Sequence, residues 1–222
     1  MKRNNIIDIP SQNSLLHYKS CIAFHEAGHA AAIYLNNKAK GLPSVFFQIV
    51  FKDIKSDVIM NQVSHDDSIA RVDGGRLIES IPYSIHNFTR NLIDRNEAMM
   101  PLLSDYIIAF EADIINLLIG PLAEAKYVYN KDGELFNHQL IDLISLKNYG
   151  GHSDLTLVRE YLESFSTDKQ EQDEKLVELF AEACCFLNDI SNWKAITKLA
   201  DYMLNSNKII ISCEEVVTLI DS

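Results

Sequence analysis

The sequence predicts a mostly helical α+β fold with a single small β-hairpin or sheet. Three observations point there. Apolar residues recur at helical spacing through most of the chain. Only one segment, Val45 to Phe51, is dense in β-branched and aromatic side chains. Clusters of Asn, Gly, Ser and Pro fall between the two kinds of segment, where a chain must turn.

The first helix is expected over about residues 11–36. Pro10 followed by Ser11 marks a start, with Ser11 or Ser14 as N-cap. Leu15, Ile22, Ala23, Ala30, Ile33 and Tyr34 keep helical spacing, and Asn36, Asn37 and Gly41-Leu42-Pro43 end it. A β-containing insert of about 41–104 follows. In it Val45–Phe51 is a strand, Asp57 to Val63 its expected hairpin partner, Ser64 to Gly75 a polar loop, and Ile81 to Met100 weakly helical.

The remainder, 105–222, is helical. Ser104 to Tyr129 reads as one long buried helix, and His138 to Lys147 as a shorter one ended by Asn148-Tyr149-Gly150-Gly151. Ser153 is expected to cap a helix to about Phe165, and Thr167-x-x-Gln170 has the form of a capping box for a helix to Asn188. Trp193 to Leu204 is a further helix, Lys208 to Ile211 an extended piece, and Ser212-x-x-Glu215 the cap of a final helix. No repeat, low-complexity tract or linker divides the chain, so residues 1–222 read as one domain.

The net charge of -11 repels phosphate backbones and excludes nucleic acid as the expected partner. No signal peptide is read at the N-terminus. The most apolar stretch, Tyr106 to Ala123, is interrupted by Glu111 and Asp113, so no membrane span is expected. Cys21, Cys184, Cys185 and Cys213 lack zinc-ribbon or redox spacing and read as reduced thiols of a cytoplasmic protein.

Chemistry concentrates in His25-Glu26-Ala27-Gly28-His29. On a helix, residues i and i+4 lie one turn apart on one face, so His25 and His29 can offer ring nitrogens to one metal ion. Glu26, rotated about 100° from His25, lies beside such an ion rather than on it. There it can accept a proton from the attacking water and hand it to a leaving amine. Among metals, Zn²⁺ suits this donor set. Ala27, Gly28, Ala30 and Ala31 are small and let another element or a substrate strand come close. His17 and Cys21 extend the same stripe and read as half-buried side chains of that face.

A catalytic zinc needs a third protein ligand. The residues leave Glu111, Glu124, Asp154, Glu160, His138 and His152 as candidates. At this point the sequence resembles a known family. His25-Glu26-Ala27-Gly28-His29-Ala30 is similar to the zinc helix of FtsH-type protease domains. Gly120-Pro121-Leu122-Ala123-Glu124-Ala125 resembles the Gly-Gly-Arg-x-Ala-Glu segment that closes a long helix there. Gly150-Gly151-His152-Ser153-Asp154-Leu155 resembles the segment whose final Asp ligates zinc. Trp193-Lys194-Ala195-Ile196 and Cys213-Glu214-Glu215-Val216 resemble the family's closing elements. Gly74-Gly75-Arg76 is a second, poorer match to the Gly-Gly-Arg signature. Residues 41–104 do not match and look longer than their counterpart, and Pro121 and Leu122 depart from the pattern.

The resemblance implies a helical zincin, a zinc metallopeptidase with His25, His29 and Asp154 as ligands and Glu26 as general base. Glu124 is then the runner-up ligand, or a hydrogen-bond partner of a ligand histidine. Peptides or unfolded proteins are the implied substrates, added as a strand to Val45–Phe51 or Asp57–Val63. Tyr149, His138 or His152 would polarise the scissile carbonyl. The family's rings and ATPase module imply a homo-oligomer or a separate ATPase as partner, since no Walker A sequence is present. Two rivals stand beside this reading: a zinc hydrolase of a non-peptide amide, and a non-proteolytic binding or regulatory protein on the same fold.

Overall fold

The computed structural model of the chain describes residues 12–51, 69–80, 100–137, 141 and 143–222. In chain order the elements are α1 (Gln12–Ala39), β1 (Phe47–Phe51), β2 (Ala70–Gly74), α2 (Met100–Lys131), a 3₁₀ helix (Ser145–Tyr149), α3 (His152–Phe165), α4 (Lys169–Asn188), α5 (Ile190–Asn205), β3 (Ile210–Ser212) and α6 (Cys213–Asp221). The architecture is mostly helical with one three-stranded antiparallel sheet of order β2-β1-β3, an α+β fold.

The helix ends follow from local chemistry. Gly41 adopts a left-handed φ of 68°, and Gly41 N–H and Leu42 N–H return to the carbonyls of Lys38 and Asn37. That Schellman arrangement satisfies carbonyls that the end of α1 would otherwise leave bare. Gly133 ends α2 the same way through Asn130 and Tyr129. Ser212 and Glu215 form the expected capping box of α6. Elsewhere the caps differ from expectation. Asp168, not Thr167, caps α4 by accepting Gln170 N–H at 2.8 Å. The N-cap of α3 is Gly151, with Ser153 inside the first turn. Asp189 caps α5, which starts three residues before Trp193. Ser14 lies inside α1, and Ser11 falls outside the described residues.

The core sits between α1 and α2. Ile114, Ile115, Leu118, Ile119 and Leu122 of α2 are at most 1% exposed. Each such side chain contributes roughly 1.5–3 kcal/mol through burial. α2 packs against α1, α3 and α4, and α5 covers the other flank of α1. Although α2 is long and apolar enough to span a membrane, 67% of its most apolar window is buried inside the protein. The small residues of α1 make the packing close. A Cβ on Gly28 would lie 2.8 Å from Ala123 Cβ and 3.0 Å from the Ile119 carbonyl oxygen, so the element that approaches this face is α2.

The sheet corrects one expectation. Residues 70–74, expected inside a polar loop, form β2, paired with β1 in the register Phe47↔Gly74 through Phe51↔Ala70. The alternation Ala70-Arg71-Val72-Asp73 carries a period of two, which the charges and the following Gly74-Gly75 obscure. Gly74 and Gly75, with φ of 88° and 87°, form the turn that leaves β2, so this second Gly-Gly-Arg is no helix segment. The extended piece near 208–211 is present as β3 on the other side of β1. The helix expected from His138 to Lys147 is replaced at its C-terminal end by a turn and the 3₁₀ helix. The proposed strand 57–63, the helix 81–100 apart from Met100, and His138 lie outside the described residues. The four thiols are free, with Cys21 and Cys184 buried and Cys185 exposed.

Candidate metal centre

Three elements build the site. α1 presents His25, Glu26 and His29 near its middle, where a helix is most rigid. α2 lies across that face. The Gly150-Gly151 turn after the 3₁₀ helix brings in the first turn of α3 with Asp154. Gly150 has φ 71°, and a Cβ there would sit 2.9 Å from His25 Nδ1. A Cβ on Gly151 would meet Pro121 Cβ at 2.8 Å. Both glycines therefore permit an approach that other residues would block. The helix dipole at the start of α3 favours the negative charge of Asp154.

The ring nitrogens are ordered from behind. His25 Nδ1 faces Glu124 Oε2 at 3.1 Å and the Tyr149 carbonyl oxygen at 3.2 Å. His29 Nδ1 faces the Asn116 carbonyl oxygen at 2.9 Å. All three partners are acceptors, so both Nδ1 atoms carry the proton. In neutral imidazoles both Nε2 atoms are then bare acceptors, and they face each other at 3.1 Å. Asp154 adds two more acceptors, Oδ2 at 3.2 Å from His25 Nε2 and Oδ1 at 3.5 Å from His29 Nε2. Oδ2 is buried, facing His25 Nε2. Donor atoms of all three residues lie within 4.8 Å of one another, and the group can hold a metal ion. Such a convergence of lone pairs at low exposure (7% for His25, 9% for His29 and Asp154) is tolerable only around positive charge.

Without a metal, protons supply that charge. Burial pulls the His25 imidazolium down, but hydrogen bonds to Asp154 and Glu124 outweigh it and hold its pKa well above the ordinary value. His29 is raised as well, burial being outweighed by the Asp154 charge. Burial would raise the Asp154 carboxyl, yet the charges and hydrogen bonds of His29 and His25 carry it well below the carboxylate range. The linkage has a definite sign. Stability from the two raised histidines is fully present below their unfolded pKa of about 6.5 and is lost as pH rises through the folded values. The thermal midpoint of metal-free protein should therefore fall above that pH, while a bound divalent ion should flatten the dependence. Thermal unfolding across pH, with and without metal, checks this.

Glu26 is buried at 7% exposure, and its Oε2 accepts the Val72 N–H of β2 at 2.6 Å. Burial raises its pKa, offset in part by the charges of His25 and His29 and by that amide. Val72 is a contact the sequence reading missed. Its signal was the alternation in β2. Asn116 was missed too. Beyond its carbonyl, its side chain accepts from Asn36 and donates to Asn37, a buried chain of amides behind His29.

The other candidates are placed elsewhere. Glu111 pairs with Lys175 at 2.9 Å, and Glu160 is exposed. Glu124 stands behind His25 rather than in the cluster. Tyr149 offers its carbonyl to His25, while its hydroxyl is bonded to Tyr129. His152 is exposed on the cleft wall. His17 lies 2.6 Å from Lys131 Nζ, and Cys21, its thiol pushed up to about 11 by burial and by the Glu124 charge, is 3.9 Å from His17.

Gly120 is the tightest point of the site. A Cβ there would sit 2.2 Å from His29 Nε2, inside the space the ring occupies. Gly→Ala in a helix normally gains about 1 kcal/mol, but overpacking costs about 1–3 kcal/mol. His29 cannot swing away without losing the Asn116 bond. Gly120→Ala should therefore destabilise the protein and weaken metal binding together, as thermal unfolding and metal titration would show.

The cluster opens on a cleft of about 1610 Å³, lined among the described residues by Phe46, Arg71, Arg76, Lys147 and Leu157 besides the site itself. No family model matches the chain, and no curated protein or solved structure is significantly similar to it.

Proposed function

We propose that the chain is a zinc-dependent metallopeptidase related to the peptidase domains of FtsH-type proteases. The observation that carries this reading is the convergence of His25 Nε2, His29 Nε2 and the Asp154 carboxylate, with Glu26 one residue along the same helix. Two imidazoles and a carboxylate suit Zn²⁺, and three protein ligands beside a cleft suit a catalytic rather than a structural ion.

Bound zinc would supply Lewis acidity toward a peptide carbonyl and the attacking water. His25, His29 and Asp154 would hold the ion, and Glu124, the Tyr149 carbonyl and the Asn116 carbonyl fix the imidazole tautomers that this requires. Glu26 takes the proton of the attacking water on its carboxylate and returns it to the leaving amine. Val72 N–H orients that carboxylate. Among the described residues, His152 is the remaining candidate for the carbonyl oxygen.

The cleft exceeds the roughly 300–1,000 Å³ of small-molecule pockets, which supports a peptide or unfolded protein over a small amide. A cytoplasmic setting and a separate ATPase that delivers substrates complete the proposal. The test is hydrolysis of a labelled unfolded casein by zinc-loaded protein. Cleavage that a chelator stops and added zinc restores supports it. Intact casein, with zinc bound, would favour the non-proteolytic reading.

A further inference from the structure

One buried carboxylate outside the metal cluster ties its parts together. Asp113 lies on α2, 2% exposed, among apolar neighbours that need no charge for packing. Its Oδ1 accepts Leu77 N–H at 2.9 Å. Its Oδ2 accepts Ile78 N–H and the Tyr161 hydroxyl, each at 2.9 Å. Burial pushes the carboxyl pKa up, and these three donors with the Arg76 charge work against that. A buried carboxylate persists where its oxygens are this fully occupied.

The donors lie in or just beyond elements that carry a site group. Leu77 and Ile78 follow β2, whose Val72 N–H meets Glu26. Between them stand Gly74 and Gly75, both at positive φ. Pairing with β1 ends at this turn, where Gly75 N–H still meets the Phe46 carbonyl, and Asp113 holds the chain just beyond it. Tyr161 lies two turns along α3 from Asp154, on the same helix face. It is fully buried, its ring tilted against Phe110 of α2 at a centroid distance of 5.4 Å. Asp113 thus holds, from α2, both the strand that orients Glu26 and the helix that presents Asp154.

We infer that Asp113 is a positioning residue for the metal centre, fixing Asp154 through Tyr161 and Glu26 through the segment after β2 while touching neither. The inference rests on the metal-site reading above. It is tested on the full chain with Tyr161→Phe, which keeps the ring packing, and with Asp113→Asn. Asparagine offers one acceptor oxygen and turns an NH₂ toward a donor.

Zn²⁺ affinity is measured by chelator competition, and the ligand field by the visible spectrum of bound Co²⁺. Both are read at a temperature where circular dichroism finds each variant folded. Loss of a group that hydrogen-bonds a ligand directly typically costs about 10–100-fold in metal affinity. Asp113 acts one step further out, so Asp113→Asn should cost about 10-fold, the low end of that range, and Tyr161→Phe less, both with an altered Co²⁺ spectrum. The double variant should be close to Asp113→Asn alone, because the phenol's shorter bond, at 2.9 Å, is to the carboxylate and its contact with the Ile78 carbonyl is longer, at 3.4 Å. Wild-type affinity and an unchanged spectrum in folded Tyr161→Phe and Asp113→Asn would overturn the role of Asp113 and leave the metal site standing. A wild-type chain that takes up neither Zn²⁺ nor Co²⁺ would overturn the metal reading, and this inference with it.

Discussion

Replacing Glu26 by Gln should abolish hydrolysis while leaving fold and metal in place. The carboxamide matches the carboxylate in shape, and its oxygen can still accept the Val72 N–H that Glu26 Oε2 now accepts at 2.6 Å. Folding stability should change by no more than about 1 kcal/mol, the net value of one hydrogen bond. What the amide cannot do is take up a proton. A positioned general base contributes about 10²–10⁴-fold to rate, so turnover should drop by that factor with zinc content unchanged. Full activity in zinc-loaded Glu26→Gln would remove Glu26 from the mechanism.

The second large effect is expected at Asp154. Asp154→Ala deletes the only carboxylate of the cluster and leaves His25 and His29 as two donors. Zinc affinity should fall by more than the roughly 10–100-fold typical of losing an outer partner. Without zinc, the variant should also lose the acid-side stability that the charged histidines draw from this carboxylate. Breaking such a buried pair costs about 3–5 kcal/mol. Asp154→Asn, which preserves volume and one acceptor oxygen, should fall between wild type and Asp154→Ala in both measurements. Glu124→Gln gives the contrast, since Glu124 stands behind His25 and its loss should weaken zinc binding without removing a ligand.

The parts of the site set by local periodicity were legible in the sequence. His25 and His29 share a face because any helix puts i and i+4 together, and the helix was readable from its spacing and from Gly41. Asp154 is different. It lies far along the chain, and it reaches His25 because Gly150 turns with positive φ and Gly151 clears Pro121. Spacing alone left it among six candidates, and only the resemblance singled it out. β2 was misread as loop because Arg71, Asp73 and two glycines obscured its alternation. Cross-strand pairing with β1 outweighed that composition. Asp113 was read only as a break in an apolar run. A carboxylate on the core face of a buried helix signals a partner, but a sequence does not say which one. The caps were off by one or two residues because Thr167 and Asp168, or Ser153 and Gly151, compete for neighbouring positions, and tertiary packing decides between them.

The central claim is that His25, His29 and Asp154 together hold one zinc ion. Zinc content per chain after reconstitution and dialysis, in wild type beside Asp154→Ala, tests it most directly. The account predicts close to one zinc per wild-type chain and clear loss in the variant. A wild-type chain that retains no zinc, or an Asp154→Ala chain that keeps it fully, would contradict it.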